Sequence, residues 1–453
     1  MKTTAPHWLG TGRARARTVA VSGLVIAAFA LTACASGGST SGGSAQTDSG
    51  GDITIWVDPP RVPAAQAFID AHPEIRVNLT QIDGTVGGKT LQQQFAQFNQ
   101  AGSGWPDALF FPSNDDIAWA SGPQINYTAD LTTSLAETIK GYDPAVIAPC
   151  AVDGKIVCLR NDAAPDVFWY NKTFFDTNGY TVPTTWEEYA TLAGKIATEH
   201  PGMVSGFTGD AYAPDRYLWA SGCPTNDRLS ATEVHINLDD PACQRAKTLL
   251  TTLSEGKALS PLGIFDADAA TVGQNFVMGP GAVWWGDYLF NQTWKIPAGT
   301  MTAVNPLKWE GETTPSTGDE GGGLWGMSNH ITGKEAANTV EFMKFVATDP
   351  AWQVDLSTGL PGYGPVQDDW IAKQKASNYF ADNDTTFAAF KAATGYVVDK
   401  HAYMLYNTGG IWTETVTPAL VAGNSVDSAW TTFGTELLNQ AKSFGYTVVD
   451  AGK

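Results

Sequence analysis

Between residues 52 and 111 short apolar runs alternate with amphipathic stretches, and this alternation limits the fold more than any other feature. Ile53-Thr54-Ile55-Trp56-Val57 reads as a buried strand, stopped by Asp58-Pro59-Pro60. Residues 62–72 follow as a helix, with Ala64, Ala65, Ala67, Phe68 and Ile69 as its apolar content. Ile75-Arg76-Val77-Asn78-Leu79 alternates and predicts a second strand, and residues 91–101 predict a Gln-rich helix ended by Gly102. Ala108-Leu109-Phe110-Phe111 is a third strand, broken by Pro112. Strands that alternate with helices imply parallel β-α-β units covered on both faces. In such sheets ligands collect at the carboxyl ends of the strands, so the loops after Val57 and Phe111 are the first candidates for a site.

Further on, residues 154–159 and 167–172 read as strands. Thr184-Thr185-Trp186-Glu187-Glu188 opens a helix that runs to about His200, with Thr184 or Thr185 as its cap and Glu187 or Glu188 reaching back. Residues 242–255 and 335–347 are amphipathic helices, and 276–288 is a Gly- and Trp-rich stretch. No repeat of solenoid period is present.

Before this body lies an export signal. Lys2, Arg13, Arg15 and Arg17 form a basic region, and residues 18–30 are uncharged and apolar but too short to span a bilayer. Leu31-Thr32-Ala33-Cys34 resembles the lipobox of bacterial lipoproteins. That resemblance implies a signal peptide over 1–33 and diacylglycerol on Cys34. It also implies anchoring to the outer face of a membrane without a spanning helix. Residues 34–51 form a Ser/Gly tether with a reach of roughly 20–25 Å.

The remaining 400 or so residues exceed one ordinary domain and imply two. With 27 basic and 46 acidic residues and no basic stripe, the chain is excluded as a nucleic-acid binder. Beyond Cys34 four cysteines remain. Three connectivities are possible, and the sequence-local pairing Cys150-Cys158 with Cys223-Cys243 is the simplest in an exported protein. There is no Cys-x-x-Cys, and the six histidines lack ligand spacing, so neither a metal nor another cofactor is expected.

Five landmarks in this order resemble family 1 of the extracellular solute-binding proteins, the sugar-binding lipoproteins of ABC transporters. They are Pro106-Asp107-Ala108-Leu109-Phe110 and Asp153-Gly154-Lys155-Ile156-Val157; the block from Tyr170-Asn171-Lys172 to Trp186-Glu187-Glu188; Phe276-Val277-Met278-Gly279-Pro280-Gly281-Ala282-Val283; and Gly359-Leu360-Pro361. Arg160-Asn161 depart from the family's usual Pro, Val283 replaces its usual Met, and the Cys150 and Cys158 pair is not a general family feature. The resemblance implies an α/β fold of two lobes, each a mixed sheet flanked by helices, with a ligand cleft between them. The first lobe is expected at 52–165 plus 328–372 and the second at 166–327 plus 373–453. Hinge closure on the ligand is expected too.

A sugar is held by aromatic faces and by polar groups that take its hydroxyls. The chain has 16 Trp and 14 Tyr, more than a core requires. Trp284, Trp285, Asp287 and Tyr288 form the strongest cluster, because consecutive residues at a strand end face opposite sides. Asn114, Asp115 and Asp116 follow the third strand, and Asp58 and Arg61 follow the first; by resemblance both are family contact positions. Trp325, after Gly321-Gly322-Gly323, with Trp219 and Tyr363, completes the candidate set. The expected function is a lipid-anchored monomeric receptor, not an enzyme. It passes a carbohydrate or polyol to ABC permease subunits, outside the membrane of a Gram-positive cell. The alternatives are a secreted lipoprotein glycosidase, for which no carboxylate pair stands out, and a surface interaction protein on the same fold.

Overall fold

The structure, a computed structural model, describes residues 50–82, 89–230, 232–398 and 405–450. The signal sequence, Cys34 and nearly all of the tether lie outside the described residues. The body has two parts. The first is built on a five-stranded sheet ordered Val77–Gln81, Ile53–Val57, Ala108–Phe111, Leu324–Met327, Cys158–Arg160. Ile53–Val57 pairs in parallel with the strands on either side of it, and Leu324–Met327 runs antiparallel to both of its neighbours. Four strands therefore end at one edge, at Gln81, Val57, Phe111 and Arg160, and the chain re-enters there through 321–323. That shared edge fixes where a site can form.

Ile53, Ile55 and Val57 are fully buried, and each such side chain contributes roughly 1.5–3 kcal/mol. The helix Val62–Ala71 covers this face, with Phe68 meeting Phe342 and Phe345 of Gly333–Thr348 edge-on at 5.2 and 5.5 Å.

The second part is centred on Asp166–Asn171, which pairs antiparallel with Met278–Ala282 and Met301–Val304. This strand is apolar almost throughout because both of its faces are covered. Trp169 packs on Phe290, Phe380 and Phe390, while Phe168 on the opposite face meets Tyr189. Helices Trp186–Glu199, Pro241–Glu255, Thr408–Val421 and Val426–Ser443 cover the Phe168 side.

Thr185 caps Trp186–Glu199 in a full capping box: its hydroxyl accepts the Glu188 N–H at 3.1 Å, and Glu188 accepts the Thr185 N–H at 3.3 Å. Thr185→Ala is expected to lower stability by about 1 kcal/mol in urea denaturation, with an unchanged m-value. Both disulfides form with the sequence-local pairing, Cys150–Cys158 and Cys223–Cys243. No helix among the described residues is long and apolar enough to cross a membrane.

Candidate functional site

The two parts meet along the shared edge of the first sheet. Charged residues of the segment 319–320 bind the two parts in opposite directions. The Asp319 carboxylate pairs with the Arg160 guanidinium of the first sheet, at 2.9 and 3.0 Å. Glu320 is gripped by the guanidinium of Arg216, whose Nη2 donates to it at 3.1 Å. Arg216 also donates to Asp210 at 2.9 Å and to the Phe207 carbonyl at 2.9 Å, and is fully buried. Its protonated form is held well above the ordinary range: burial opposes the charge, and Asp210 and Glu320 outweigh it.

Beside Glu320 lies Asp166, 2% exposed. Burial, then the Glu320 charge, pushes its pKa well above the ordinary carboxylate value. Glu320 is itself raised by burial, with Arg216 opposing.

Besides a crevice of about 10 Å³ beside Arg160 and Asp319, two cavities open at this junction. The larger, about 290 Å³, is lined from the first part by Arg61, Asn161, Asp162, Trp352, Ser357 and Thr358 with several prolines, and from the second by Tyr288 and Gln292. The smaller, about 20 Å³, has room for water rather than for a sugar. Asn114, Asp115, Tyr212, Asp215, Trp219 and Asn407 line it. There Asp215 is crowded: burial, then Asp115, Glu320 and Asp319, raise its pKa well above the carboxylate range. The parts touch beside it, where Asp115 accepts the Thr408 N–H at 3.3 Å and Arg228 pairs with Asp153 at 3.0 Å. Trp284 stands between the cavities, 6.2 Å from Tyr212 and 6.1 Å from Tyr288. A cavity of about 390 Å³ elsewhere is lined by Val182, Pro183, Val304, Pro306 and neighbours of the second part only, so it joins nothing. Among the described residues no group of three or more His, Cys, Asp or Glu is placed to hold a metal ion.

The sequence candidates thus separate. Arg61 and Tyr288 line the chamber, and Asn114, Asp115 and Trp219 the small cavity. Asp58 sits behind Arg61 and pairs with it at 3.3 Å, its pKa raised by burial against the pull of Arg61. Asp116 accepts the Ser113 hydroxyl at 3.0 Å within its own turn. Asp287 is taken by Asn291 and Gln292 of its own segment, at 2.7 and 3.1 Å. Tyr363 packs on Tyr142 at 5.6 Å and lines neither cavity.

One expectation of local geometry needs correction. Trp284 and Trp285 do not alternate across a strand end. The strand stops at Ala282, and both rings lie on the turn Val283–Trp285, which leads into the wide π-type turn Gly286–Thr293. Both are buried: Trp285 is fully covered under Arg216, 4.9 Å from its ring centroid, and Trp284 is 8% exposed with its N–H on the Glu320 carbonyl at 2.8 Å. Trp325 is likewise core, packed on Phe110 and Phe342, because its strand lies inside the first sheet.

Asn161, Asp162, Tyr212, Asp215 and Trp352 were missed. The first two follow a strand at the carboxyl edge, so the rule that picked the loops after Val57 and Phe111 would have found them. The others lie in segments without strand signals.

The profile of the bacterial extracellular solute-binding proteins matches residues 58–353. A sequence relative, the osmoprotective compounds-binding protein GgtB of Synechocystis, is 28% identical over 143 residues, 29% of this chain and 34% of its own length. The chain thus spans about a third of that relative. Among solved structures, the ABC transporter associated binding protein of Bifidobacterium animalis subsp. lactis in complex with β-1,6-galactobiose has a TM-score of 0.73 at 19% identity, over 88% of this chain and 99% of that one. The galacto-N-biose/lacto-N-biose I-binding protein of Bifidobacterium longum, in complex with lacto-N-biose, gives 0.71 at 18%, over 89% and 100%. At these identities the likeness establishes the two-lobed binding-protein fold.

Proposed function

The chain belongs to the bacterial extracellular solute-binding proteins, and from that premise we propose a receptor that closes on a carbohydrate or polyol and presents it to an ABC importer. It is a monomer that leaves the bonds of its ligand intact. It is held by a lipid on Cys34 at the outer face of the membrane of a Gram-positive cell. The lobes are drawn at 52–165 plus about 324–372, and at 166–320 plus 373–453, with the three glycines 321–323 between them. Placing the crossover there keeps Leu324–Met327 with the first sheet, in which it pairs.

The observation that carries this reading is the chamber of about 290 Å³ with walls from both lobes. Its size is near the lower end for small-molecule sites, its wall offers an aromatic ring and an Arg, and only closure of both lobes completes it. The carbohydrate class is supported by the sugar complexes of the structural neighbours.

The test is tryptophan fluorescence and thermal shift on the body after Cys34, with a panel of glucose, galactose, maltose and sorbitol. A saturable response raising the midpoint by about 3 °C at 100 times Kd is expected, with the ligand recovered unaltered. Tyr288→Ala and Arg61→Ala are each expected to weaken binding by ~10-fold, as read by calorimetry. Silence across the panel defeats the carbohydrate reading, and hydrolysis of the maltose defeats the receptor reading.

A further inference from the structure

We infer that Asp162 selects the ligand by accepting its hydroxyl hydrogens through Oδ2, and that Asn161, pinned by two tryptophan indoles, is the residue that positions it. The inference rests on the chamber being the ligand site.

Asn161 and Asp162 are 1% and 5% exposed, and both line the chamber. The Asn161 oxygen accepts two N–H groups, from Trp325 at 3.0 Å and Trp352 at 2.8 Å. Two donors on one oxygen fill its lone pairs and fix which end of the amide is nitrogen. That nitrogen donates to Asp162 Oδ1. The backbone is fixed as well: Asn161 and Asp162 N–H donate to Gly323 and Gly322 carbonyls at 3.0 and 2.8 Å, and Gly362 N–H to the Asn161 carbonyl at 2.9 Å.

Among the described residues the one hydrogen bond to the Asp162 carboxylate is that from Asn161, on Oδ1. Oδ2 is not one of the enclosed side-chain atoms left without a partner, so it stays open to solvent or to a ligand in the chamber. Asp162 lines a chamber large enough for a ligand with hydroxyls. A carbon at Gly359 would stand 2.5 Å from Oδ2, so the glycine clears space for the carboxylate. Trp325 therefore acts at the site without touching it, by orienting Asn161.

The arrangement sets a pH dependence. Burial raises the Asp162 pKa to about 6, against the pull of Arg61 and Arg160 and the Asn161 hydrogen bond, while the Asp58 charge adds to the rise. Arg61 and Asp58 face it from the turn after the first strand and Arg160 from its own strand. Tyr288, Gln292, Ser357 and Thr358 complete the lining. Above a pH of about 6 the group is an ionised acceptor; below it a proton makes it a donor and a much weaker acceptor, so affinity falls as pH drops through that value.

The experiment is calorimetric titration of wild type, Asp162→Asn, Trp352→Phe and Gly359→Ala, from about pH 5 to 8, with whichever of glucose, galactose, maltose or sorbitol binds most tightly. Asp162→Asn is expected to bind ~10–100-fold more weakly at about pH 7.5 and to show a flat profile. Trp352→Phe keeps the ring and loses the N–H. It is expected to weaken binding by ~3–10-fold and to move the midpoint to higher pH, which a packing defect alone would not do. Gly359→Ala is expected to weaken binding by displacing the carboxylate. If Asp162→Asn binds as wild type does, or keeps the pH slope, the inference falls while the receptor reading stands. If no panel member binds wild type, the inference falls together with the carbohydrate reading on which it rests.

Discussion

Replacing Arg216 by methionine lowers the thermal midpoint of the body by about 5 °C and exposes hydrophobic surface. Arg216 is fully buried and neutralises Glu320, which is itself fully buried, together with Asp210. A methionine side chain fills much of the volume but leaves Glu320 without its cation, beside Asp166. Breaking a buried pair from one side typically costs ~3–5 kcal/mol, because the remaining charge stays desolvated. The thioether also cannot donate to the Phe207 carbonyl, and the face of Trp285 loses its cation.

The double variant Arg216→Met with Glu320→Gln separates charge from shape. It is expected to recover at least half of the lost stability, since a neutral amide costs less to bury than an unpaired carboxylate. Differential scanning calorimetry of the four members of the cycle reads this directly. If the single and double variants melt together, the pair is not what joins the segment 319–320 to the second lobe. Recovery only at low pH would agree with the pair, because Glu320 sheds its charge as it protonates there.

The parts of the fold that follow local rules were legible. The strand Ile53–Val57 and its proline stop, the capped helix after Thr185 and the strand Ala108–Phe111 all appear where their residues predict them. Each depends on side chains within a few positions of one another. The C-terminal helices Thr408–Val421 and Val426–Ser443 were not read as elements. Thr408–Val421 begins with Gly409 and Gly410 and contains Pro418, so its propensity is poor, and its burial against the second lobe overrides this.

The site was half legible for the same reason. Arg61, Asn114 and Asp115 follow strand ends of the first sheet, and the carboxyl-edge rule reaches them, whereas Tyr288 lies in the turn Gly286–Thr293. Trp285 and Trp325 are buried, and the sequence alone does not tell this from a cleft position because an aromatic residue reads alike in both. What separates these two from Tyr288 is Arg216 over one, and Phe110 with Phe342 around the other. The Arg216–Glu320 pair joins residues 104 positions apart, and no local pattern announces it.

Gly323→Ala is expected to destabilise by ~2–4 kcal/mol and to weaken ligand binding at the same time. Gly321, Gly322 and Gly323 have φ of 75°, 74° and 60°, three left-handed residues in a row between Glu320 and the strand Leu324–Met327. An L-residue in that conformation costs ~1 kcal/mol or more. The larger part of the effect is steric: a carbon at 323 would lie 2.0 Å from the ring of Phe110. Phe110 cannot yield freely, being 1% exposed, with Trp325 at 5.0 Å and the Arg61 guanidinium at 4.2 Å over its ring. A displaced Phe110 therefore moves Arg61, and Arg61 lines the chamber. Phe110→Leu in the Gly323→Ala background removes the contact while leaving the backbone cost. It is expected to recover part of the stability but not the affinity, since the ring beneath Arg61 is gone. Urea denaturation and sugar titration on the same samples test both halves. Wild-type stability in Gly323→Ala would mean that the run of glycines is not sterically required. Wild-type affinity with lowered stability would disconnect Phe110 from the chamber.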